Sequence, residues 1–245
     1  MKSILEKEGK KIHANLCEIS DYIYKNPELG NKEYKAVEVL TSFLKEHNFE
    51  IEKEFLGIKT AFRATYDSKK EGATIGYLCE YDALPEIGHG CGHNMIGSMS
   101  AGAGIILSKV LDEIGGKIIV YGTPAEETNG AKVIFAEEGV FDELDAAMMV
   151  HPGDKTLASG KSMALYPLQF TYKGKTAHAA SCPHEGINAL NAIIQLFNGI
   201  DALRQHVTPD VRMHGVITQG GVAANIVPDE ATAQFYFRAG TKETL

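Results

Sequence analysis

Apolar positions along this chain change their period several times, and the changes divide it into elements. Ile4, Leu5, Ile12, Leu16, Ile19 and Ile23 recur at roughly helical spacing, and Pro27 closes that stripe. A second helix is predicted over residues 32–46, with Tyr34, Val37, Leu40, Phe43 and Leu44 on its apolar face. Residues 60–66 and 74–79 read as strands, and the polar stretch 67–72 between them predicts a hairpin loop. Strand and helix then alternate: strand 75–79, a small-residue-rich helix 95–111, strand 117–122, helix 129–138 and strand 146–150. Such alternation predicts parallel βαβ units. After His151 the rhythm becomes strand 163–172, amphipathic helix 186–206, and strands 211–218 and 231–238. The reading is an α/β protein with a mainly parallel sheet flanked by helices over residues 1–160, followed by a second α+β unit over 161–245.

Composition narrows the class. Of 245 residues, 44% are hydrophobic and 23% charged, near the average for a packed soluble domain. The formal net charge of -8 gives no basic footprint, which argues against nucleic acid and for small-molecule partners. No apolar run approaches membrane-spanning length on this reading, and the Lys- and Glu-rich start lacks a signal-peptide core. A cytoplasmic location is expected. The four cysteines show no pairing pattern and read as free thiols or ligands.

Chemistry gathers at the predicted strand ends. Glu80-Tyr81-Asp82-Ala83-Leu84-Pro85 and Gly90-Cys91-Gly92-His93-Asn94 follow the strand ending at Cys79. Thr123-Pro124-Ala125-Glu126-Glu127 follows the strand ending at Gly122, and His151 follows Val150. Open α/β sheets bind ligands beyond the carboxyl ends of parallel strands, so three segments converge on one rim. A glycine turn at Gly92 can aim Cys91 and His93 together. Thiolate, imidazole and carboxylate suit a divalent metal, and one of two consecutive carboxylates can bind it while the other moves protons. Other residues of these types read as ordinary. Glu137-Glu138 is a solvated face, Cys79 a core thiol, and Cys17 and Cys182 are incidental. His13, His47, His206 and His214 are surface or helix-end histidines.

At these motifs the chain resembles the zinc-dependent aminoacylase and carboxypeptidase family, peptidase family M20. The amidohydrolase branch is nearest, with its dipeptidases and p-aminobenzoyl-glutamate hydrolase. The resemblance implies that Cys91, His93, Glu127 and His151 are metal ligands, that Glu126 is the general base, and that Asp82 orients the centre. It implies two metals, zinc first, with manganese or cobalt as alternatives. It also implies a ferredoxin-like lid that dimerises. His178 there reaches the substrate, often from the partner subunit, and Asn225 and Arg238 hold the substrate's carboxylate. Glu80 and Asn94 stand where Asp is common, which bears on substrate. Family members continue past the position of Leu245 with the rest of the lid and a final metal-binding His. A chain stopping there is expected to be C-terminally incomplete, to turn over little alone and to associate.

The function implied is hydrolysis of the amide bond of a dipeptide or N-acyl amino acid by metal-activated water, with Glu126 as base. Two alternatives belong to other classes: a non-catalytic metal- or carboxylate-binding remnant, and a dimerisation module.

Overall fold

Ile118, Ile119, Val120 and Tyr121 form an unbroken apolar run, and all four are fully buried. Strands covered on both faces read this way, and this one occupies the middle of its sheet. In the computed structural model, which describes residues 1–158, 160 and 162–245, contacts divide the chain into units Met1–Thr156 and Leu157–Leu245. The boundary read near residue 160 adjoins Ser159 and Lys161, which lie outside the described residues.

The first unit runs α1 (Lys2–Lys25), α2 (Tyr34–Glu46), β1 (Glu50–Lys53), β2 (Phe62–Asp67), β3 (Thr74–Cys79), α3 (His93–Ile114), β4 (Lys117–Gly122), α4 (Ala131–Glu137) and β5 (Ala146–Met148). Its sheet order is β1-β2-β4-β3-β5. Parallel pairing is confined to β4, β3 and β5, while β1 and β2 are antiparallel additions, so the sheet is mixed. The predicted hairpin between β2 and β3 does not form. β4 lies between them, paired antiparallel to β2 and parallel to β3. The more continuously apolar strand takes the centre, and a polar loop is compatible with either pairing. β1 escapes a reading by periodicity because Glu50, Glu52 and Lys53 hide its alternation; charge of this kind suits an edge strand. β5 is shorter than expected, ends at Met148, and is an exposed edge strand paired with β3.

Helix α3 lies among the core elements. A Cβ on Gly102 would meet Leu16 of α1 at 2.6 Å, so the bare glycine lets the two helices close together. By length and composition α3 could cross a membrane, which corrects the reading that no run approaches that length. Some 67% of its most apolar window is buried within the protein, as in the core helix of a water-soluble domain.

The second unit comprises β6 (Ala164–Lys173), α5 (Ala189–Leu203), β7 (Arg212–Gln219) and β8 (Glu230–Ala239). Its antiparallel sheet has the order β6-β8-β7. Alternate residues Ala231, Ala233 and Phe235 of β8 face inward, and Ala189, Ile193 and Ile200 of α5 join the same buried cluster. Asn188 caps α5 by accepting the Asn191 N–H at 3.0 Å.

Candidate metal centre

The three parallel strands deliver their following loops to one place. Asp82, three residues beyond β3, is buried and uses both carboxylate oxygens. Oδ1 accepts from His93 Nδ1 at 2.9 Å, and Oδ2 accepts from the Glu127 backbone N–H at 3.0 Å. Burial works against charge on Asp82, yet these hydrogen bonds outweigh it and hold the carboxyl below its usual range. Burial also disfavours a charged His93, but Asp82 and the nearby carboxylates prevail and raise its pKa. With Nδ1 committed to Asp82, His93 presents Nε2, which is buried and has no hydrogen-bond partner among the described residues. A carboxylate fixing a histidine's tautomer and aim is the outer support that metal-binding histidines need.

Two donor sets meet at that nitrogen. Cys91, His93 and Glu127 offer atoms within 4.8 Å of one another, as do Glu80, His93 and His151. Gly92, at φ +77°, makes the left-handed turn that places Cys91 and His93 side by side; a Cβ there would meet Pro152 at 2.8 Å. His151 is exposed, and its Nδ1 donates to the Pro152 carbonyl at 2.8 Å, leaving Nε2 to face a ligand. Its ring stands edge-on to that of His93, 6.0 Å between centroids.

Charge tests the fit to a metal. Glu127 first, then burial and the other carboxylates, push the Cys91 thiol up to about 11. His93 Nε2 lies 3.5 Å from Glu80 Oε2, 3.8 Å from Glu127 Oε1 and 3.9 Å from Glu126 Oε2. Carboxylates crowded against one another and against a thiol oppose their own ionisation, and a divalent cation among them would relieve that repulsion. The residues therefore fit a metal. Glu126 stands beside both sets, partly exposed; burial, then the charge of Glu80, raises its carboxyl above the usual range.

The loop carrying Glu126 and Glu127 is held from outside. Ala125 adopts φ +61°, a left-handed conformation unusual for a residue with a Cβ. Its N–H donates to Glu33 Oε1 at 2.8 Å, and Glu33 is fully buried. Burial pushes the Glu33 carboxyl upward. Nearby, the Ala83 N–H donates to the Glu28 carbonyl at 2.8 Å, so residues 28–33 grip both site loops. Sequence patterns do not single out Glu33, because it stands outside every motif and beside the apolar stripe of α2. Glu33→Ala is expected to destabilise the fold by about 1–3 kcal/mol, the cost of an unpaired buried N–H. Glu33→Gln, which keeps an acceptor, is expected to recover most of that loss in urea unfolding.

In the second unit, His178 and Asn225 come together. The strand-like pairing of β6 and β8 continues past their ends: Ala179 N–H donates to the Asn225 carbonyl at 3.0 Å, and His178 bridges to Ile226. His178 Nδ1 accepts the N–H groups of Ala180 and Ser181 at 3.2 and 3.3 Å, which leaves Nε2 outward. Arg238 does not lie beside Asn225 along the strand. It lies at the far end of β8, eight residues from Glu230, about 26 Å along an extended strand. Arg212 stands directly opposite Arg238 in the ladder, a like-charged pair that no sequence motif announces and that suits an anion.

Residues 165–245 match the family model described as a peptidase dimerisation domain. The mouse (Mus musculus) Xaa-Arg dipeptidase is 38% identical over 240 residues, covering 93% of this chain and 56% of that protein. A p-aminobenzoyl-glutamate hydrolase polypeptide from Escherichia coli (strain K12) is 33% identical over 243 residues, covering 91% of this chain and 50% of that polypeptide. The chain belongs to the M20 peptidase family. It spans about half the length of these curated M20 relatives. The M20 fold is also seen in the Bacillus subtilis YXEP protein, a dinuclear metal binding peptidase, with TM-score 0.69 and 22% identity, covering 96% of this chain and 66% of that one.

Proposed function

We propose that this chain carries the metal centre and the substrate-reading lid of a metal-dependent amidohydrolase acting on a dipeptide or N-acyl amino acid. The observation that carries the reading is the pair of donor sets sharing His93 Nε2, with Glu126 alongside, at the ends of three parallel strands. Cys91, His93, Glu127 and His151 would hold the metal, and their mixed sulfur, nitrogen and oxygen donors favour zinc over manganese or cobalt. When bound, such an ion polarises the scissile carbonyl and lowers the pKa of water. Glu126 takes the water's proton and returns it to the departing nitrogen. Asp82 keeps His93 and the Glu127 backbone aimed throughout.

The relatives support the substrate class. A dipeptide and p-aminobenzoyl-glutamate are both amides ending in an amino-acid carboxylate. Arg238, with Arg212 beside it, is suited to that carboxylate through the planar guanidinium fork. We place the working protein as a homodimer, which the dimerisation-domain match supports. His178, Asn225 and Arg238 are the residues of the second unit proposed to meet the substrate, with His178 reaching it from the partner subunit. All four cysteines are free thiols, which is compatible with the cytoplasm as its location.

The test uses a protein of the relatives' length carrying this sequence, loaded with zinc or manganese and offered dipeptides and N-acyl amino acids. Hydrolysis is expected, and no turnover of any member of the panel would overturn the reading. Amidating the substrate's terminal carboxylate is expected to lower kcat/KM at least ~10-fold, the scale of one charged hydrogen-bonded contact. Arg238→Ala should erase that preference. Equal cleavage of acid and amide by the wild type would exclude the role given to Arg238.

A further inference from the structure

Arg212 opens β7, and Arg238 stands near the end of β8, directly opposite it in the antiparallel ladder. Met213 and Phe235 belong to the buried cluster beneath α5, so the alternation of each strand turns both arginines to the other face of the sheet. Side chains of directly opposed residues start about 4.5–5.5 Å apart at Cβ, and like charges so placed repel. The chain's other arginines, Arg63 and Arg204, pair with Glu143 and Asp201, whereas Arg212 and Arg238 form no ion pair among the described residues. Asp210 feels the charge of Arg212, but its Oδ2 accepts the Gly240 N–H at 2.9 Å. The flanking residues on that face, Leu165 on β6 and the ring pair of His214 and Tyr236, bring no negative charge. Arg212 is also held in place. Its Nη1 donates to the carbonyls of Pro209 and Val211, the latter at 2.9 Å, which leaves Nε and Nη2 without a partner among the described residues.

We propose that Arg212 is a specificity-determining residue that binds a second carboxylate of the substrate, so that the preferred amide ends in an aspartate or glutamate residue. The inference rests on the reading that Arg238 binds the terminal carboxylate. One terminal carboxylate neutralises one guanidinium and leaves the other unanswered. An acidic residue carries two carboxylates, separated by two or three saturated carbons, and can place one on each arginine. Its two negative charges match the pair, and each planar fork can take a carboxylate through two parallel hydrogen bonds. A substrate ending in a neutral residue leaves one cation unpaired, and one ending in lysine or arginine adds a third positive charge. The same face therefore selects against basic residues by repulsion.

The test is a kinetic comparison in a protein of the relatives' length carrying this sequence, with one acyl group attached to glutamate, glutamine or arginine. Glutamine matches glutamate in shape and lacks only the second charge. The wild type is expected to favour glutamate over glutamine at least ~10-fold in kcat/KM, the scale of one charged hydrogen-bonded contact, with most of the difference in KM. The arginine substrate should be the poorest. Arg212→Gln should bring the glutamate-to-glutamine ratio close to one, while the preference for a free over an amidated terminal carboxylate, the part due to Arg238, persists. Arg212→Lys keeps the charge without the fork and should retain part of the ratio. A loss that Arg212→Gln imposes equally on the glutamate and glutamine substrates overturns the proposal, because Arg212 would then act only through the fold. Equal cleavage of glutamate and glutamine substrates by the wild type, or a preference for arginine, overturns it too, and leaves the role of Arg238 standing if the terminal amide is still rejected. Equal cleavage of terminal acid and amide by the wild type overturns the role of Arg238 and this proposal with it.

Discussion

Glu126→Gln is expected to lower kcat/KM by ~10²–10⁴-fold in a protein of the relatives' length, the range for loss of a general acid-base group. Metal content should stay at the wild-type level. The two halves of this expectation have separate origins. Gln matches Glu in size and polarity but cannot accept a proton from water. Metal is retained because Glu126 belongs to neither close donor set, although its Oε2 comes within 3.9 Å of His93 Nε2. Burial and the charge of Glu80 raise the Glu126 carboxyl, which brings its proton affinity nearer that of a working base at neutral pH. If Glu126→Gln keeps full activity, another group is the base. If it loses metal as well, Glu126 is a ligand and the roles of the two glutamates must be exchanged.

His93→Ala is expected to have the broadest effect on metal binding, with affinity falling by ~10²-fold or more, beyond what outer supporting residues contribute. His93 is the residue common to both donor sets, so one substitution weakens both. It also strands Asp82, whose Oδ1 loses its partner while remaining buried. Asp82→Asn provides the graded comparison. It should weaken binding by ~10–100-fold, because His93 keeps its nitrogen but loses the carboxylate that fixes its tautomer. A chelator-competition series across wild type, Asp82→Asn and His93→Ala should rank in that order. An Asp82→Asn loss as large as that of His93→Ala would show that Asp82 binds the metal directly.

Much of this site was legible because it rests on short-range signals. Period changes marked the helices and strands, and the strand ends then placed Asp82, Cys91, His93, Glu126, Glu127 and His151 on one rim. What escaped depends on partners distant in sequence. Periodicity assigns β2 and β3 as strands but carries no signal that β4 will insert between them. Glu33 supports Ala125 across 92 positions, and no local pattern records that contact. Glu80 was visible as a departure from the usual Asp, but its burial and its Lys132 partner, 52 positions away, exist only in the folded chain. Arg238 and Asn225 are thirteen positions apart in the chain. An extended strand separates them by its whole length, which a motif cannot convey.

The central claim is that Cys91, His93, Glu127 and His151 form a divalent-metal site. The most direct measurement is Zn²⁺ content after chelator treatment, reloading and dialysis, comparing the wild-type chain with Cys91→Ala. The account predicts that the wild type retains zinc in defined stoichiometry and that Cys91→Ala retains markedly less. Equal retention by the two proteins, or none in the wild type, would contradict it.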